Sequence, residues 1–250
     1  MWLTVLCGLA LGLLLNLCAD WLPRRALPRD ETRDAPASRG GTRALRWGAL
    51  LVLCTALMFY LRDVAGLPIA AAPPTAGVVP RLFYCSLLLL IATIDLEHRL
   101  VPDILILAGL VFATGLHFLS LLPVSSLRIT ASRYLLNPGA PGLTVALTGA
   151  AVGGGLFLLL ALARRNALGA GDVKLAFLIG MLTGFPWVLQ ALVLGVVLGG
   201  LAAALLLLFR VRGSKQYIPY APYLVAGAMA TLLCGQRIAQ WYARLVGVGG

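Results

Sequence analysis

Apolar runs long enough to cross about 30 Å of hydrocarbon recur along the whole of this 250-residue chain. That pattern restricts the fold class, because a backbone in lipid must satisfy its own hydrogen bonds, and a helix does so within one segment. A transmembrane β-barrel would alternate apolar and polar residues instead of running continuously apolar. Hydrophobic residues make up 60 % of the chain and the mean hydropathy is +0.94. The sequence therefore predicts an all-α fold, a polytopic integral membrane bundle of about eight transmembrane helices forming one domain over residues 1–250.

The expected spans begin with residues 2–22, 47–60, 82–95, 104–122 and 143–163, and the last covers 221–245. Residues 175–209 exceed the roughly 20 residues one span needs. Proline cannot continue a helical hydrogen-bond ladder, so this stretch is expected to break at Gly184-Phe185-Pro186 into the sixth and seventh spans. Glycines such as Gly153, Gly154, Gly155, Gly195, Gly199 and Gly200 are expected to let helix backbones approach closely.

A net charge of +11 raises the question of nucleic acid, but the basic residues stand in the loops between apolar runs rather than in a recognition fold. Threading the spans puts fourteen Lys and Arg on one side of the membrane and six on the other, which sets the richer side as cytoplasmic. The densest cluster, Arg24, Arg25, Arg29, Arg33, Arg39, Arg43 and Arg46, marks residues 23–46 as a short arginine-rich cytoplasmic loop close to anionic lipid. No basic region precedes the first apolar run, and positive charge follows it, so the run reads as a retained anchor with its N-terminus outside.

Against this background the acids are scarce. There are nine, and none follows Asp172. Asp95 and Asp172 stand at the edges of two separate apolar stretches, where a carboxylate is costly and is a functional candidate by default. The threading puts both on the cytoplasmic side at similar depth. Two carboxylates close together share a proton; one can take a proton from water while the other donates to a scissile carbonyl. Gly169 and Gly171 would let backbone come close to a neighbouring helix or an extended substrate, and Lys174 would influence the local field or bind lipid phosphate. Asp103, after Pro102, is expected to cap the fourth span and is the reserve acid. Glu97 and His98 read as solvated loop residues, and His117 lies on the outer half of the fourth span. Two histidines on opposite sides assemble no Ser-His-Asp or Cys-His site. The five cysteines form no CxxC, so no structural zinc, other metal site or disulfide framework is indicated.

Four ordered motifs over about residues 12–224 resemble the type IV prepilin peptidases, membrane aspartic proteases of the GxGD class. Gly12 and Asn16 followed by Leu22-Pro23 resemble the family's N-terminal pattern, with leucines where a small polar and an aromatic residue are usual. The segment from Asp95 to Asp103 is similar to the one bearing the first catalytic aspartate. Gly169-Ala-Gly171-Asp172-Val-Lys174 matches the GxGDxK motif bearing the second. Ile218-Pro219-Tyr-Ala-Pro222 looks like the proline pattern before the last span.

The resemblance implies cleavage of the basic leader of type IV prepilins or pseudopilins at the cytoplasmic face of a bacterial inner membrane. The cut in that family follows a glycine, with Asp95 and Asp172 here as the catalytic acids. Such proteolysis needs no cofactor. Many members also methylate the new N-terminus, using a larger cytoplasmic domain with paired CxxC motifs. The corresponding stretch here, Arg24 to Arg46, has no cysteine, so S-adenosylmethionine is expected only where methylation is retained. Two other classes use the same residues differently. A proton-coupled transporter would relay protons through the acids, though paired repeats with corresponding broken helices are not visible. A catalytically inert scaffold for a secretion apparatus would not need the acid pair at all.

Overall fold

In the computed structural model, residues 2–26, 40–65, 75–98, 100–119, 142–163, 169–209 and 220–245 are described. They form eight helices and, among the described residues, no strand. In chain order these are α1 Trp2–Ala26, α2 Gly40–Ala65, α3 Thr75–His98, α4 Asp103–Leu119, α5 Gly142–Ala163, α6 Ala170–Thr183, α7 Trp187–Leu208 and α8 Ala221–Leu245. The all-α expectation holds. Two of these helices, over Gly142–Ala163 and Trp187–Leu206, are long and apolar enough to cross a membrane by themselves.

The chain divides into two compact units, Met1–Pro102 and Asp103–Gly250. In the first, α1 and α2 pack closely where glycine permits it: a methyl on Gly12 would stand 3.0 Å from the Cα of Leu51. Largely apolar, α3 buries Tyr84, Cys85, Leu88, Ile91 and Ile94. The helices reach further than the apolar runs alone suggested. In particular α2 begins at Gly40, so Arg46 is a helical residue and not part of a loop. It is also buried.

In the second unit the tightest seam joins α5 to α6, where Gly149 meets Gly180 and Gly153 meets Ala176 backbone to backbone. A second seam joins α7 to α8 through Gly195 and Gly227. The break between α6 and α7 falls at the expected place. Gly184 adopts φ +71°, a left-handed conformation that favours glycine, and the Phe185 N–H donates to the Val145 carbonyl at 3.0 Å, pinning the turn to α5. Not every expected glycine packs: Gly155 and Gly200 face open space. This separates two outcomes. Gly153→Val would press into the Ala176 carbonyl, 2.7 Å from the first added carbon, and should lower stability by about 1–3 kcal/mol. Gly200→Ala should leave the detergent-solubilised unfolding midpoint unchanged or slightly raised.

Candidate active site

Asp172 lies in the first turn of α6, and the local chain explains why it is held there. Gly169 is the N-cap, extended at φ −74° and ψ 148°. The Asp172 N–H donates to the Gly169 carbonyl at 3.1 Å, and the Gly169 N–H donates back to Asp172 Oδ2 at 3.3 Å. This reciprocal pair satisfies backbone groups that a helix start leaves open, and it fixes the carboxyl against the backbone. Gly169 thus acts through its cap geometry. Gly171 is in the same first turn, half-buried.

Asp95 lies in the last turn of α3, in the first unit, and is likewise buried. Among the described side chains, Asp95 and Asp172 are the buried carboxylates, each 6 % exposed; Asp20 and Glu97 are half-buried and Asp103 is exposed. Burial therefore singles out the same two acids that their apolar flanks marked.

The other expected residues divide. Asp103 does start α4, and its Oδ1 accepts from Lys174 Nζ at 2.7 Å, so Lys174 is paired across to α4 instead of being left for lipid phosphate. Both members are exposed, 51 % for Lys174 and 73 % for Asp103, and such pairs contribute about 0–1 kcal/mol. Lys174→Met should accordingly leave the thermal midpoint almost unchanged. A large activity loss in that variant would have to come from the reaction and not from folding. Asn16 is buried in α1, but its Nδ2 donates to the Gly12 carbonyl one turn back, at 2.9 Å. The bond stays within α1, because an i−4 carbonyl lies within reach of the side chain. Pro222 occupies the first turn of α8, where a missing N–H costs little. Pro219 lies outside the described residues.

One cluster was not foreseen. Arg46 on α2 donates through Nη2 to Asp20 Oδ1 on α1 at 2.6 Å, and through Nη1 to Glu97 Oε2 on α3. Glu97 is therefore a partnered residue within α3, not a solvated loop residue. The one signal available in sequence was an acid inside the first apolar run, Asp20, which needs a cation nearby. Tyr220 was also passed over. It caps α8, its carbonyl accepting from the N–H groups of Tyr223 at 3.1 Å and Leu224 at 3.3 Å, and its ring lies against Phe157. Among the described residues no group of three or more His, Cys, Asp or Glu is placed to hold a metal.

The second unit thus holds a capped, buried aspartate after a Gly-x-Gly, and the first unit holds a buried aspartate at the end of α3. Residues 82–204, which contain both acids, match the model of the type IV leader peptidase family. The chain is 26 % identical to the prepilin leader peptidase/N-methyltransferase of Bacillus subtilis over 166 residues, 66 % of this chain and 60 % of that one. It is 28 % identical to the Pseudomonas aeruginosa protein of the same name over 165 residues, 64 % and 51 % of the two chains. The same-named protein of Xanthomonas campestris is 27 % identical over 161 residues, 62 % and 50 % of the two. The matched region spans between half and three-fifths of the length of these relatives. No solved structure matches.

Proposed function

We propose that this chain is a multi-pass membrane aspartic endopeptidase that removes the leader of type IV prepilins or pseudopilins at the cytoplasmic membrane face. The observation that carries the reading is that Asp95 and Asp172 are the buried carboxylates among the described side chains, within a segment that matches the leader peptidase family model. The outward faces of α5 and α7 support the membrane setting: Leu156, Leu159, Leu162, Val193, Val197 and Leu201 are exposed and apolar, as lipid contact requires.

The roles follow from where each acid sits on its helix. Asp172 is at a helix start and is held by a backbone N–H, an arrangement that suits a carboxylate taking a proton from the attacking water. Asp95 is in a last turn, at the negative end of its helix dipole, an arrangement that suits the protonated partner donating to the scissile carbonyl oxygen. Water adds to the carbonyl carbon, and the tetrahedral intermediate collapses as the amide nitrogen leaves with a proton. Both acids return to their starting states, with no covalent enzyme intermediate. Proteolysis by this route requires no cofactor, and S-adenosylmethionine enters only if the processed N-terminus is also methylated. The match of residues 82–204 to the leader peptidase family model favours hydrolysis over proton-coupled transport through the same acids.

The test is direct. Purified protein in liposomes is given a prepilin with a basic leader ending in glycine, and the products are weighed by mass spectrometry. One cut after that glycine supports the reading; an intact prepilin across a panel of such substrates removes it.

A further inference from the structure

The antiparallel seam of α5 and α6 can be followed one turn at a time. Gly149 lies against Gly180, and Gly153 lies against Ala176. Four residues further along each helix, the same register sets Phe157 level with Asp172. The α7–α8 seam arrives at this place from the other side: Gly195 meets Leu224, and a methyl on Gly199 would stand 3.0 Å from Cε2 of Tyr220. The Tyr220 ring joins the two seams, its centroid 6.3 Å from that of Phe157 with the planes inclined by 34°. Because Tyr220 also caps α8 through its carbonyl, both its backbone and its ring are fixed.

We propose that Tyr220 is a positioning residue for Asp172, its hydroxyl donating to the carboxylate that takes the proton from water. This rests on the peptidase reading. A phenol suits the task, since its body is apolar enough to pack on Phe157 while its single O–H seeks an acceptor once buried. Burial first, and the negative charge of Asp172 second, hold the Tyr220 hydroxyl above the ordinary tyrosine range, so the proton is retained for donation. Competing groups at this end of the unit are few. Lys174 and Asp103 are joined to each other, and among the described residues neither α5 nor α7 brings a titratable side chain.

The experiment compares wild type, Tyr220→Phe and Tyr220→Ala in the prepilin cleavage assay in liposomes, with thermal midpoints measured alongside. Phenylalanine keeps the ring against Phe157 and Gly199 and removes only the O–H. The expected result for Tyr220→Phe is a kcat lower by about tenfold or more, the scale of a lost hydrogen bond to a charged group. KM should stay within about twofold and the midpoint should not move, because substrate binding and packing are retained. Tyr220→Ala should lose kcat and lower the midpoint as well. Wild-type kcat in Tyr220→Phe would overturn the proposal and leave the peptidase reading standing. So would a fall in midpoint that matches the fall in activity, since Tyr220 would then be a packing residue only. Absence of cleavage by the wild type would overturn both.

Discussion

Asparagine at either Asp95 or Asp172 will lower the rate constant for leader cleavage by about a thousandfold or more, with the unfolding midpoint preserved. A positioned acid or base is worth on the order of 10²–10⁴ in rate, and the amide can neither take a proton from water nor return one. Folding is spared for a physical reason. Asparagine matches aspartate in shape, and its side-chain oxygen can still accept the Gly169 N–H at position 172. The buried site also no longer has to hold a charge. Cleavage kinetics with a prepilin substrate, alongside circular dichroism melts, check both halves of the prediction. A variant that keeps more than a tenth of the wild-type rate would remove that residue from the proposed mechanism.

The second large effect is on folding. Arg46→Met will lower the stability of the first unit by about 2–4 kcal/mol, the cost of stranding partners of a buried cation, discounted because Asp20 and Glu97 keep some contact with water. The cluster ties α1, α2 and α3 together at one place, so its loss should also loosen the three helices toward proteolysis. The triple variant Arg46→Met, Asp20→Asn, Glu97→Gln should recover most of the loss, because no charge is then left without a partner. Thermal melts of the three proteins, wild type included, decide it. If the single variant melts like wild type, the cluster is only a surface pair.

How far the sequence reached depends on what each feature needed. The helical class was readable from apolar runs, because satisfying backbone groups in lipid is a local problem. The break at Gly184-Phe185-Pro186 was readable too, since glycine and proline act on their own dihedrals. Asp95 and Asp172 stood out because acids are rare beside such runs, and their burial agrees with that signal. Arg46 was misread because its position in sequence, next to a run of arginines, says nothing of Asp20 and Glu97 on two other helices. Lys174 and Asp103 were likewise judged one at a time, although they meet across helices. Tyr220 was hidden inside a proline motif. Its significance comes from two helix seams converging, which no local pattern encodes.

The central claim is that the two buried carboxylates act together on one water. It is tested most directly by single-turnover cleavage with wild type, Asp95→Asn, Asp172→Asn and the double variant in the same liposomes. Groups that act as a unit are strongly non-additive. The account predicts that the double variant is no slower than the slower single variant. Losses that multiply in the double variant, or cleavage that survives either single change, would contradict it.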